Sequence, residues 1–575
     1  MTSENQITFK VEKPSPAILL LVSFVSACII GVFVAVVTIF FIDLVSKAES
    51  WRVIGRSGYD RFSLHLFLYQ TSLLSFGMLA LISIRRIFQI KRWHGPADVI
   101  HAAHTDISLL SPKTGIATIS SVFVSVVAGA SVGTYGPLVH LGGFLSRIFN
   151  SIFKSKILSQ DMIIGCGVAA AISAGFNAPI AGMIFAHEVV LRHFSMRALA
   201  PIAIASIASF AVGSWLFEDV RWLRLDPTVP SIMSLSPGLI ISGLFFGIIA
   251  VFIIRFQIRV SKWAGSSGLP DWKLGGIAVI ICSIIGFFVP EALGLGTSTM
   301  QNMLDINFGI FLLIVFLVSK IILTAASTCL GFSLGIFSPS LFIGAAAGGI
   351  SGYLIDILGL PVSLPIFMVC GMAALSGAIT GAPIAVMIII IELTMSYDLA
   401  VSTMIAVGTC SLVTFSFGCH SLFDQQLLMK GVKINSGRVS ILLAEMKIDN
   451  LASPNFIEID IKSSASVAAK KLAKGGCSEG YCLAGDGSLV GKILLQDLVV
   501  NSRLKSLVTL VDKNPMHLLS GSSVEKAREI ASTFVGEALP VIEAKTYKLL
   551  GVVSEADIFT AVLQTQNSVN SIEKS

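Results

Sequence analysis

Charge is what this 575-residue chain has least of: 13% of its residues are acidic or basic, against 54% hydrophobic. With a mean hydropathy of +0.85, that balance excludes an ordinary water-soluble surface for most of the chain. Between Ile321 and Ile391 the sole charged side chain is Asp356. Paired cysteines are also missing, because nine cysteines are scattered from Cys28 to Cys482 without a CxxC. That leaves neither a disulfide framework nor zinc spacing. Absent too are a phosphate-binding Gly-x-x-x-x-Gly-Lys loop and a Ser/His/Asp set, so no enzyme class is indicated. His101 and His104 are three apart without a third ligand nearby, and no metal site is expected. A net charge of +6 spread over loops and tail, with one cluster at Arg85, Arg86, Lys91 and Arg92, reads as positive-inside orientation and not as nucleic-acid binding.

What the first 420 residues do contain is apolar segments broken by glycine and proline. Some are long enough to span a bilayer, at about 20 residues. Others, such as Ile163–Ala171 and Phe367–Leu375, are shorter and lie against glycine-rich breaks, so they read as half-spanning helices. The polar opening residues 1–16 do not resemble a cleaved signal peptide. Near Ser421 the composition turns ordinary, and a soluble domain is expected from about residue 436.

The membrane part is a repeat. GASVGTYGP at 129–137 matches GFSLGIFSP at 331–339, and APIAGMIFAHE at 178–188 matches APIAVMIIIIE at 382–392. Two matches at nearly one offset, each carrying positioned Gly, Pro or Glu, argue a duplication over about 60–220 and 235–420. Gly-x-aromatic-x-Pro before an apolar run is a helix start. Inside a membrane such a start aims unpaired N–H groups and a positive dipole end at a low-dielectric interior, where an anion binds. The bland alternative is packing glycines at close helix crossings.

These same segments resemble the CLC family of chloride channels and exchangers. GTYGP is similar to the family's Gly-x-Glu-Gly-Pro motif, GIFSP to its Gly-x-Phe-x-Pro motif, and FNAPIAGMIFAHE to the segment that follows. The resemblance, over about residues 20–430, implies an all-α polytopic membrane domain, 17–435, of inverted-repeat architecture with broken half-helices. It also implies a homodimer with an anion path in each subunit, lined by Gly95, Gly133, Gly136, Gly335 and the backbone N–H groups of Ile336 and Phe337. Three departures stand out. Tyr135 replaces the gating glutamate, Val189 falls where exchangers keep an inner proton glutamate, and the two hydroxyl ligands of the central anion fall on His94 and Phe423. A phenol, with an ordinary pKa of about 10, is neutral at physiological pH, so a proton-uncoupled chloride channel is expected. The alternatives are a chloride/proton antiporter working through His94, His187 or water, a fluoride exporter, and a non-conducting membrane sensor. Glu188 and Glu392, at equivalent places in the two copies, are expected to share a structural role.

The tail reads twice as strand, helix, strand, strand, helix and resembles a pair of CBS modules, 447–503 and 507–565, with Gly491–Asp497 and Gly551–Asp557 at matching strand-to-helix turns. The resemblance implies a cytosolic α/β domain whose ligand, if it has one, is an adenine nucleotide held through Ser554 and Asp557, with Leu494 unhelpful in the first copy. The expected location is therefore the inner or plasma membrane, with both termini cytosolic.

Overall fold

The computed structural model describes residues 16–60, 62–153, 158–216, 232–430, 432, 439, 442–444 and 446–574. It divides into two compact units, 1–430 and 431–575. The expected boundary near 436 and the N-terminal segment 1–15 lie outside the described residues.

The first unit is helical throughout. Its first half comprises α1 (Pro16–Ser57), α2 (Leu64–Ile87), α3 (Pro96–His104), α4 (Pro112–Ala128), α5 (Tyr135–Phe153), α6 (Gln160–Phe176), α7 (Pro179–Phe185, continued as a π-helix over Ala186–Leu191) and α8 (Met196–Leu216). The second half repeats that order with α9 (Ile232–Ser266), α10 (Asp271–Phe288), α11 (Thr297–Leu304), α12 (Ile310–Leu330), α13 (Phe337–Ile357), α14 (Leu364–Thr380), α15 (Pro383–Thr394) and α16 (Tyr397–Ser416), and α17 (Leu422–Met429) closes the unit. Equivalent helices pack on equivalent partners: α5 on α6 as α13 on α14, and α1 on α8 as α9 on α16. Because α1 is the counterpart of α9, the first copy begins at Pro16 and not near residue 60. Among the described residues, eight helices are long and apolar enough to cross a membrane, while α6 and α14, with 17 residues each, fall short of a full span.

Glycine decides where these helices cross. A Cβ on Gly142 of α5 would lie 2.4 Å from the Gly167 carbonyl oxygen of α6, and one on Gly344 of α13 would lie 2.4 Å from that of Gly371 in α14. These are the packing glycines of the small-residue type, and they are distinct from the motif glycines in the loops.

The two copies also cap each other. The Glu188 carboxylate accepts the Ile384 and Ala385 N–H groups at 2.9 and 2.7 Å, at the start of α15. Glu392 returns the bond to Ile180 and Ala181 of α7 at 2.9 and 2.8 Å. Each therefore supplies acceptors for orphan donors of a short helix, at its positive end.

The second unit holds two small α/β modules. The first has helix α18 (Ala465–Gly475), an antiparallel pair β1 (Glu479–Leu483) and β2 (Leu489–Leu494), and α19 (Leu495–Val500). In the second, β3 (Leu518–Leu519) lies parallel to β4 (Ala538–Ile542), which pairs antiparallel with β5 (Leu549–Ser554), around helices α20 (Val524–Ala531) and α21 (Glu555–Lys574). The opening strand expected in the first module shrinks to a single bridge, Glu458 with Tyr481. Gly491 and Gly551 do equivalent work, since a Cβ there would sit 2.4 Å from the Asp512 carbonyl oxygen and 2.7 Å from that of Ser453. The modules interlock through Glu479, which accepts the Glu537 and Ala538 N–H groups and pairs with buried Lys492 at 2.6 Å, while Glu537 accepts from Ser478.

Replacing Glu188 by Ala strands two helix-start donors and is expected to cost about 1–3 kcal/mol, read as a lower thermal unfolding midpoint in detergent. Glu392→Ala should match it. Stability unchanged in both variants would contradict the capping role.

Candidate functional site

The two motif loops meet in the middle of the first unit. The Gly133 N–H donates to the Gly335 carbonyl at 2.8 Å. A Cβ on Gly335 would lie only 1.9 Å from the Gly133 carbonyl oxygen, so this contact is open to glycine alone. Serines from opposite copies hold the loops in register. The Ser131 N–H donates to Ser327 Oγ of α12, and the Ser333 N–H donates to Ser125 Oγ of α4, both at 3.1 Å. Gly129 and Gly331, both with positive φ, end α4 and α12 just before the loops.

Beyond the loops the chain restarts as α5 and α13, whose first-turn N–H groups have no acceptor within their own helices. A cavity of about 60 Å³ lies against these starts. Four helix beginnings converge on it: Pro96 of α3, Gly136 of α5, Ile336 at the N-cap of α13, and Leu422 with Phe423 of α17. The rest of its wall is polar but uncharged, formed by Gln257, Ser261, Thr328, Cys329 and Gln426 among apolar neighbours. At roughly 15 Å³ per water, such a space holds an anion with a few waters. Converging positive helix ends with neutral donors favour an anion over a cation.

Of the residues expected on the path, Gly136, Gly335, Ile336 and Phe423 line the cavity. Gly133 supports it from behind. Tyr135 and Phe337 turn into an aromatic cluster. The Tyr135 ring stacks on Phe176 at 3.8 Å between centroids with planes 14° apart, and meets Phe337 edge-on at 5.6 Å. His94, expected where the family has a serine on the anion, is not among the residues lining this cavity, and its ring lies 5.9 Å from that of buried His140 and 4.0 Å from Asp98. Its neighbour Gly95 donates to Asp98, whose carboxylate also takes Arg92 and Lys430, each at 2.8 Å. That network fixes the start of α3. Val189 is fully buried within the π-helical stretch, and its carbonyl accepts from Arg192 Nε. His187 Nδ1 lies 3.2 Å from the His193 carbonyl oxygen, and its ring stacks with Phe194.

In the second unit, Ser554 and Asp557 bond each other: the Ser554 hydroxyl donates to Asp557 at 2.6 Å and the Asp557 N–H donates to Ser554 Oγ at 3.2 Å. They cap the start of α21, and a ribose there has to compete with that cap.

The family described as voltage gated chloride channel matches residues 76–414. The chain belongs to that family. It is 27% identical over 344 residues to a putative chloride channel protein, ClcB-like, of Ralstonia nicotianae, covering 58% of this chain and 79% of the relative. It is 26% identical over 343 residues to the voltage-gated ClC-type chloride channel ClcB of Escherichia coli, covering 59% and 81%. Among solved structures, a eukaryotic CLC transporter superposes with a TM-score of 0.63 at 19% identity, covering 94% of this chain and 98% of that one. A slow cyanobacterial Cl⁻/H⁺ antiporter gives 0.63 at 19% identity, covering 71% and 97%. A CLC-type fluoride/proton antiporter gives 0.59 at 18%, covering 72% and 99%. These likenesses establish the CLC fold for a multi-pass membrane protein.

Sequence reading missed the polar wall, because Gln257, Thr328 and Cys329 lie outside every motif. Cys329 tests it. A methanethiosulfonate reagent that modifies this thiol should reduce anion flux at least about tenfold, since the adduct exceeds the free volume, and Cys329→Ser should be insensitive. Full flux in the modified protein would place the path elsewhere.

Proposed function

We propose that the chain carries chloride across the membrane without coupling to protons, as a channel. The observation that carries this reading is the pair of substitutions at the two proton-handling positions. At the start of α5 stands Tyr135, clamped between Phe176 and Phe337. At the inner position stands Val189, a buried aliphatic group. Neither exchanges a proton at physiological pH, and no carboxylate belongs to the cavity wall. Anion binding needs none of these side chains, because the helix starts and backbone N–H groups provide the field.

The family resemblance adds a homodimer with one path per subunit. The basic cluster Arg85, Arg86, Lys91 and Arg92, at and just beyond the end of α2, belongs on the cytosolic face by the positive-inside rule. On this reading the second unit is a cytosolic CBS pair acting mainly as a structural plate, with adenine nucleotide at Ser554 and Asp557 the alternative. One observation favours proton coupling as a second reading: His94 and His140 pair at 5.9 Å beside α3 and could carry protons.

Liposomes containing the purified protein, with valinomycin and potassium setting the voltage, separate the two. Chloride efflux without proton movement is expected, and stoichiometric proton uptake would overturn the channel reading. In the same assay Tyr135→Ala should raise flux severalfold by opening the aromatic cluster, and Tyr135→Glu should impose a pH dependence near the carboxylate range, about 4–6. Unaltered flux in both variants would remove Tyr135 from the path.

A further inference from the structure

Gln257 of α9 is 4% exposed and forms part of the cavity wall. Its carboxamide oxygen has two neighbours that can donate, the Thr328 hydroxyl at 3.0 Å and the Cys329 thiol at 3.2 Å. Each of these donors has a second acceptor, the Thr324 carbonyl at 2.8 Å for the hydroxyl and the Gln257 backbone carbonyl at 3.5 Å for the thiol, and together they keep the amide oxygen supplied. With the oxygen engaged, the amide presents an N–H₂ group. That nitrogen is enclosed and, among the described residues, has no hydrogen-bond partner. A buried donor left unmade is costly and calls for a partner that the protein itself does not supply.

The surroundings say what the donor is for. The cavity collects four helix starts and no charged side chain, and its Phe423 offers no hydroxyl. His94, the other residue at a hydroxyl-ligand position, is not among the residues lining it. The site therefore lacks both expected side-chain ligands yet contains one unsatisfied amide donor.

We infer that Gln257 is the side-chain ligand of the transported anion, its Nε2–H₂ group donating to a halide held against the starts of α5 and α13. This rests on the anion-transport reading above. The sequence position of the ligand thus moves from the motif loops to α9, and Thr328 and Cys329 act as positioning residues that hold the amide oxygen.

The test titrates chloride, and separately bromide, into the purified full-length protein in detergent by calorimetry, alongside liposome flux. Gln257→Leu keeps the volume and removes the donor, and should weaken halide binding about tenfold, equivalent to about 1.4 kcal/mol. Gln257→Glu is isosteric and places a competing anion there, so binding should fall further. If the Leu variant does not match wild type in size-exclusion profile, the Glu variant carries the test. Wild-type affinity in the Leu variant, or tighter binding, would overturn the assignment while leaving the transport reading intact, the latter by showing that the carbonyl faces the anion. A wild-type protein that neither binds halide nor moves it would overturn both.

Discussion

Everything in the membrane unit depends on two backbone loops being able to touch. At Gly133 and Gly335 the chain crosses itself with a carbonyl oxygen where a methyl group would otherwise be. Irregular backbone in a membrane is tolerated only if its polar groups find partners within the protein. Here the partners come from the opposite copy: Gly335 for Gly133, Ser327 for Ser131 and Ser125 for Ser333. Duplication therefore solves a problem that a single copy cannot, because each broken segment is satisfied by the other. The same contact sets the starts of α5 and α13 side by side, and so the positive ends of both helices serve one cavity.

Reciprocal satisfaction recurs at the short helices. Glu188 caps α15 and Glu392 caps α7, so two carboxylates in the membrane unit satisfy helix-start donors of the opposite copy. The second unit uses the same device, with Glu479 and Glu537 each accepting from backbone N–H groups of the other module. Hydrogen bonds to a charged acceptor contribute about 1.5–3 kcal/mol each. Such pairs hold duplicated modules together without requiring an extended apolar interface.

The repeat and the helix starts were legible in sequence because they rest on residues with special backbone behaviour. Glycine and proline announce breaks. Alignment of the two motifs could not reveal that α1 pairs with α9, since that equivalence resides in length and packing with little residue identity. The surroundings of His94 were hidden for a related reason, since Asp98 pairs with Arg92 and also with Lys430, 332 residues away, with no motif to announce it. Gln257 carries no sequence signal beyond being one amide in a long apolar helix. Its importance emerges only when Thr328 and Cys329, 71 and 72 residues away, are seen to meet its oxygen.

A path built this way has consequences for how tightly it holds its ion. Conduction requires binding strong enough to admit an anion and weak enough to release it. A lysine in the cavity would supply a full charge in a low-dielectric setting and hold the anion as a fixed partner. Helix ends contribute roughly half a charge each, and an amide contributes a dipole, so their sum can be matched to an anion that must leave. With no carboxylate in the wall, nothing in the cavity competes with the anion as a tethered charge. On the proposed channel reading, gating falls to the ring cluster in which Tyr135 stacks on Phe176 and both meet Phe337 edge-on, a steric device in place of a titrating carboxylate.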